Sequence, residues 1–115
     1  MRISVTGPAI RRGDVWWVAF DPSIGGEITK TRPAVVVSND SANRSLNRFQ
    51  VVPLTRATKR IYPSEALVRI DGTPSKAAAD QISTAARERF GGRIGRVSRE
   101  EMAAIEAAIR IQLAL

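Results

Sequence analysis

The sequence predicts a mainly β domain, a small barrel of five or six short strands followed by one C-terminal α-helix. Short runs of β-branched and aromatic residues alternate with Gly, Pro, Asn and Asp, which is typical of strands joined by turns. Near the C-terminus, Ser98 and Glu101 have the spacing of a helix capping box and precede apolar residues at helical intervals.

The chain has 115 residues, enough for one hydrophobic core and too few for two. We expect residues 1–10 to form an irregular leader and residues 11–115 to form the single domain. No apolar stretch is long enough to span a bilayer, and no signal-peptide pattern is present. The chain has no cysteine, and the simplest expectation is cytoplasmic residence.

Three strands are predicted from composition, at residues 15–20, 34–37 and 49–55. Pro33 suits the first position of the second strand, and Pro53 argues that this end of the third strand lies at an edge or a bulge. The other expectations, in chain order, are a polar turn at 41–48, a strand within 62–70, a turn at 71–74, a strand at 76–83 whose alanines would rather suit a helix, a Gly91-Gly92 turn, and a last strand at 93–97.

The predicted C-terminal helix carries two apolar stripes, wider together than the single face that a surface helix buries. Either the barrel wraps this helix or a second subunit covers the extra face. We expect a homodimer, because so small a domain has little chain for wrapping. The stripes are Met102, Ile105, Ile109 and Leu113, and Ala104, Ala108, Ile111 and Leu115.

The net charge is +7, with fifteen arginines and three lysines. Such an excess indicates a surface that binds a polyanion, and nucleic acid is the leading partner. The alternative is that arginine usage reflects a GC-rich genome.

The chain contains no histidine, which excludes the usual general acid and base near neutral pH and imidazole metal ligands. Serine hydrolase chemistry is disfavoured for the same reason. The carboxylates Asp14, Asp21, Glu27 and Asp40 lack the spacing of a metal site. We therefore expect neither a metal nor another cofactor.

Arg32 is the leading catalytic candidate because it directly precedes Pro33 at the entrance of a valine-rich strand. The proline disfavours a helical conformation at Arg32, and a rigidly placed guanidinium suits a phosphate site. Attack of an RNA 2′-hydroxyl on its own phosphate needs no metal; the protein must stabilise phosphorane charge and help to move two protons. Arg32 and Thr55, at the end of another strand, meet that need if the strands are neighbours.

Two further features bear on binding. The loop at 21–31 carries Glu27 and Lys30 and exceeds the median connection of about five residues, so it is either a binding loop or a solvated hairpin. For Trp17 the favoured use is core or subunit interface, and the alternative is a surface on which a base stacks.

Six short motifs follow one another along residues 11–115. They are Arg12-Gly13-Asp14-Val15-Trp16, Thr31-Arg32-Pro33, Ser38-Asn39-Asp40, Val51-Val52-Pro53-Leu54-Thr55, Asp80-Gln81-Ile82-Ser83-Thr84 and Gly95-Arg96-Val97. Each alone is weak, but the ordered set resembles the MazF/PemK family, the toxin endoribonucleases of bacterial type II toxin–antitoxin systems.

This resemblance implies an SH3-like small barrel (CcdB/PemK-like) with a C-terminal helix, working as a homodimer. It implies metal-independent, sequence-specific cleavage of single-stranded RNA to a 2′,3′-cyclic phosphate and a 5′-hydroxyl, which inhibits translation and growth. It also implies a cognate antitoxin that lays an acidic tail along the basic RNA groove.

By position, the family's catalytic arginine falls on Arg32 and its strand-end threonine on Thr55. The loop acid falls on Glu27 and a glutamine on Gln81, both expected to contact RNA, and we add Lys30 and Trp17 to the expected RNA-binding set. Ser83 stands where many relatives carry a basic residue.

Two alternatives remain open. A related barrel family binds DNA gyrase and cuts nothing, which would leave the pairing of Arg32 with Thr55 without a purpose. A non-catalytic SH3-like binding module would need an aromatic-lined groove, and the chain has only six aromatic residues.

Overall fold

The computed structural model describes residues 7–20 and 30–115. It confirms a mainly β fold with a C-terminal helix, in which β1 to β7 form one curled sheet in the order β4-β5-β3-β2-β1-β7, with β6 paired to β3. The elements are β1 (Asp14–Phe20), β2 (Lys30–Val36), α1 (Asp40–Ser45), β3 (Arg48–Thr55), β4 (Glu65–Ile70), β5 (Thr73–Ala78), β6 (Ser83–Ala86), β7 (Phe90–Arg96) and α2 (Arg99–Leu113). Most of the 21–31 loop, including Glu27, lies outside the described residues.

Pro33 is the fourth residue of β2, so its predicted place at the first position is wrong. The strand extends back to Lys30 because it pairs with β1, where Pro33 faces Trp17. Pairing with β3 begins only at Ala34. The Val37 N–H donates to the Gln50 carbonyl on the β3 side, and the alternation of strand hydrogen bonds turns Pro33 to that same side. The absence of an N–H at Pro33 therefore removes no hydrogen bond from the observed sheet.

The Pro53 end of β3 belongs to an inner strand, so of the two predicted positions the sheet edge is wrong, but strand pairing is interrupted there. β3 pairs with β2 on one side, and on the other it pairs first with β6 and then with β5. Pairing with β6 ends at Val51 and pairing with β5 begins at Leu54. The buried proline occupies the gap between these two partners, where no hydrogen bond is required of it.

Three local predictions are wrong. The polar segment at 41–48 forms α1, because the Asn39 side chain accepts from the Ala42 N–H and caps the helix. Gly91-Gly92 lies inside β7 instead of in a turn. The predicted 76–83 strand is β5 followed by a single 3-10 turn, Ala79–Gln81, and β6 was not predicted.

The sheet buries apolar residues on both faces, since side chains alternate along β1, β2 and β3. One cluster packs under α2 through Ile105 and Ala108, which are almost fully buried. The other contains Trp16, Phe49 and Ile10, the last from the segment before β1. Each face of the single sheet therefore carries one of the two apolar clusters.

The capping box of α2 is confirmed. Ser98 Oγ accepts from the Glu101 N–H at 3.0 Å, and Glu101 Oε1 accepts from the Ser98 N–H at 2.8 Å. The second carboxylate oxygen of Glu101 accepts from the Arg69 N–H of β4 at 2.7 Å, so one side chain starts the helix and joins it to an outer strand. No helix in the described ranges is long and apolar enough to cross a membrane.

The C-terminal ends of both predicted stripes are uncovered in the single chain. Ile111, Leu113 and Leu115 are exposed by 58%, 49% and 82%. The apolar helix surface that we expected a second subunit to cover is therefore exposed in the single chain.

The Arg12-Gly13-Asp14 motif has a structural role. The buried Asp14 carboxylate accepts from the Arg11 N–H at 3.0 Å and pairs with Arg96 at 3.0 Å and Arg93 at 3.4 Å. The Arg12 side chain donates to the Val37 carbonyl and pairs with Glu106 of α2. These contacts tie the start of β1 to β7 and to α2.

The Asp40 carboxylate joins the same region to α1. It accepts from the Arg12 N–H at 2.8 Å, and this bond is the main reason that the pKa of Asp40 is lowered. A lowered carboxyl pKa stabilises the fold above the usual value near 4, and the contribution is lost as the pH falls through the lowered value.

Replacing Ile10 with alanine should destabilise the fold by about 2–5 kcal/mol, because the side chain is 6% exposed within the second core cluster. Equilibrium urea unfolding measures the change, at one protein concentration for all variants. Ile61→Ala, at a position 40% exposed, is the control and should cost far less. Equal unfolding midpoints for the two variants would show that residues 7–10 add nothing to the core.

Candidate active site

A cleft of about 390 Å³ opens where β2 begins and β3 ends. It brings together three of the residues that the sequence singled out, Arg32, Thr55 and Trp17. Arg56 and Asp71 also line it. The cleft therefore combines cationic, hydroxyl, aromatic and carboxylate groups.

The strand register explains why Arg32 and Thr55 line the same cleft. β2 and β3 are neighbours, with Ala34 opposite Pro53, so the condition set from the sequence is met. Continuing that register by two residues sets Arg32 opposite Thr55. Pairing stops before this point, and the cleft lies beyond the last pair.

Both side chains are without partners in the part of the chain that the structure describes. Arg32 is exposed and makes no ion pair or hydrogen bond with any described residue. Thr55 Oγ1 is buried and likewise has no hydrogen-bond partner there. Because leaving a buried hydroxyl unsatisfied costs about 1–3 kcal/mol, the unpaired Thr55 hydroxyl is unfavourable for folding and needs another explanation.

Trp17 departs from the favoured expectation of a core position. Its neighbour Trp16 is 2% exposed and packs edge-on against Phe90 at 5.9 Å, whereas Trp17 is 44% exposed and lines the cleft. In the single chain Trp17 is therefore not a core residue, and its use in a subunit interface, the other half of the favoured expectation, stays a prediction. The indole offers an aromatic surface beside Arg32.

Two charged lining residues of the cleft, Arg56 and Asp71, were not predicted from the sequence as site residues. Arg56 follows Thr55 directly and is exposed, so its place after a catalytic candidate was the available signal. Asp71 was treated as a plain turn residue. Its position in the cleft depends on how the β4–β5 hairpin folds beside β3, which no local pattern reveals.

The other expected RNA-binding residues lie outside this cleft. Lys30 is the exposed first residue of β2 and does not line the cleft. Gln81 lines a separate depression of about 200 Å³ together with Pro53 and Ser83. Pro53 directly precedes Leu54 and Thr55, which line the cleft.

The arrangement suits a phosphodiester. Two guanidiniums can grip phosphate oxygens, and a hydroxyl fixed at a strand end can donate a directional hydrogen bond. In residues 7–20 and 30–115, no group of three or more carboxylates could hold a metal ion.

Residues 11–113 match the family described as PemK-like, MazF-like toxin of type II toxin-antitoxin system, and the chain belongs to this family.

Named relatives agree with this assignment. The chain is 41% identical to Endoribonuclease MazF9 of Mycobacterium tuberculosis, across 92% of this chain and 98% of that protein. It is 37% identical to Endoribonuclease toxin MazF of Escherichia coli K12, across 86% and 89%. A solved mycobacterial endoribonuclease in complex with its cognate antitoxin superposes with a TM-score of 0.75 at 29% identity, across 93% and 97%.

Proposed function

We propose that this protein is the toxin of a type II toxin–antitoxin system, an endoribonuclease that cuts single-stranded RNA at specific sequences and so inhibits translation and growth. Family membership and the names of the relatives support the class of activity. The observation that carries the proposal is the pairing of Arg32 with Thr55, both without partners in the described chain, at the mouth of one cleft.

The reaction is an in-line transfer. The RNA 2′-oxygen forms a bond to phosphorus and loses its proton, the bond from phosphorus to the 5′-oxygen breaks, and that oxygen gains a proton. The products are a 2′,3′-cyclic phosphate and a 5′-hydroxyl. Metal ions are not required, because the nucleophile is already adjacent to the phosphate.

Arg32 donates to the phosphorane oxygens and takes part in proton transfer, and Thr55 donates a hydrogen bond to the same charge. Arg56 adds a second cation to the cleft. Trp17 stacks a base beside the scissile phosphate. Lys30, Gln81 and Glu27 contact more distant parts of the RNA.

Cleavage in EDTA tests the mechanism. The purified protein should cut single-stranded RNA in excess EDTA, and end-labelling should detect the 2′,3′-cyclic phosphate and the 5′-hydroxyl. Raising the salt concentration should weaken RNA binding, because counterion release contributes to it. Strict dependence on a divalent metal, or 5′-phosphate products, would contradict the mechanism.

The two alternatives from the sequence are not favoured. The family match and the endoribonuclease relatives point to RNA cleavage. A gyrase-binding toxin or a binding module gives no reason for a guanidinium and a buried hydroxyl, both without described partners, at one cleft.

The partners follow from charge and exposed apolar surface. The net charge of +7 suits both RNA and an acidic antitoxin segment, and one solved relative is bound to its antitoxin. The exposed Ile111, Leu113 and Leu115 on α2 support a homodimer. We place the protein in the cytoplasm, and residues 11–115 as its one domain.

A further inference from the structure

The cleft contains a carboxylate among its cations. Asp71 lines it together with Arg32 and Arg56. Asp71 is exposed and makes no ion pair or hydrogen bond with any residue in the described ranges. A free carboxylate repels the phosphate that the rest of the cleft attracts, so its presence needs a separate reason.

The β4–β5 turn accounts for only part of that reason. Asp71 has φ of 50° and Gly72 has φ of 77°, a left-handed pair that favours Asn, Asp or Gly. Asparagine or glycine would satisfy this backbone equally well without a negative charge. The turn therefore explains the small residue and leaves the charge unexplained.

We propose that Asp71 determines specificity by reading one RNA base next to the cleaved bond. This inference rests on the proposed ribonuclease function. An ionised carboxylate only accepts hydrogen bonds, and adenine, cytosine and guanine each present an exocyclic amino group as donor. Uracil has none, and its single N–H is flanked by two carbonyl oxygens that a carboxylate repels. Asp71 thus selects a base with an amino group and rejects uracil.

The composition of the cleft supports this role. Trp17 supplies a surface on which a base can stack, and unstacked bases of single-stranded RNA are commonly read along their hydrogen-bonding edges. The volume of about 390 Å³ lies within the range of roughly 300–1,000 Å³ that is usual for small-molecule sites. A base stacked on Trp17 therefore occupies the same cleft as Arg32, Thr55 and Asp71.

Asp71→Asn isolates the charge, since asparagine has nearly the same shape and tolerates the left-handed backbone. Its amide both donates and accepts, so it can pair with uracil. Asp80→Asn, at an exposed position that does not line the cleft, is the matched control for the change in net charge.

Sequencing the ends cut from a randomised RNA pool provides the readout. The wild-type protein and Asp80→Asn should exclude uracil at one position near the cut by about tenfold relative to the other bases, the order expected for one good base contact. Asp71→Asn should lose most of that exclusion at this position alone. Unchanged base preferences, or a uniform rate increase in both variants, would overturn the inference.

Binding separates this inference from the catalytic proposal. In an Arg32→Ala background, short cytidine oligonucleotides should bind more tightly than uridine ones. Asp71→Asn should bring the ratio of their two dissociation constants closer to one. If the wild-type protein cuts no RNA but this ratio changes as expected, base reading stands and the catalytic proposal fails. An unchanged ratio overturns the role of Asp71 whatever the cleavage result.

Discussion

Arg32→Ala should lower the rate of RNA cleavage by about 10²–10³-fold, because it removes a preorganised donor to the phosphorane. The fold should survive, since Arg32 is exposed and contacts no described residue through a hydrogen bond or ion pair. Single-turnover cleavage of a labelled RNA in EDTA measures the rate. Circular dichroism and urea unfolding check the structure.

Two variants sharpen this result. Arg32→Lys keeps the charge and loses the planar fork, so its rate should fall between those of the wild type and the alanine variant. Arg48→Ala removes an exposed arginine from the opposite end of β3 and should change cleavage little. If Arg48→Ala impaired cleavage as much as Arg32→Ala, the effect would be one of net charge rather than of a site.

Thr55→Val should reduce cleavage by about 10²-fold and yet leave the free energy of unfolding unchanged or raise it by up to about 1 kcal/mol. The loss reflects a missing transition-state donor. The stability result follows because the hydroxyl is buried without a partner in the described chain, and valine fills the same space without an unsatisfied polar group. Cleavage rates and urea midpoints are measured on the same preparations.

Thr55→Ser is the paired control. It keeps the hydroxyl and loses a methyl group, so it should retain most activity and be slightly less stable than the wild type. Wild-type cleavage by Thr55→Val would remove Thr55 from the reaction. A marked loss of stability in Thr55→Val would mean that the hydroxyl has a structural partner.

The elements predicted correctly are those determined by neighbouring residues in the sequence. The capping box at Ser98 places the start of α2 correctly, because its hydrogen bonds join residues three apart. The runs at 15–20 and 49–55 became β1 and β3, since β-branched and aromatic residues favour a pleated surface. Arg32 could be chosen as a catalytic candidate because Pro33 restricts it locally, and that assignment stays a prediction.

The wrong predictions concern segments whose structure depends on contacts with residues distant in the sequence. Gly91-Gly92 has a local turn signature, but it lies in a strand because β1 supplies partners on both sides of it. β6 has few strand-forming residues and exists because β3 pairs with it. Trp17 and Asp71 could not be assigned to one cleft, since they lie on different hairpins that meet only in the folded chain.

The position of Pro33 affects how many backbone hydrogen bonds join β2 to β3 beside the cleft. Opposite Leu54, Pro33 offers a carbonyl acceptor but no N–H donor, so this position can make only one of the two backbone hydrogen bonds of an antiparallel pair. The pairing of β2 with β3 ends next to this weakened position, where Arg32 and Thr55 line the cleft. The covalent structure of proline thus removes one potential backbone hydrogen bond at the edge of the cleft, and fewer bonds hold the two strands together where RNA would enter.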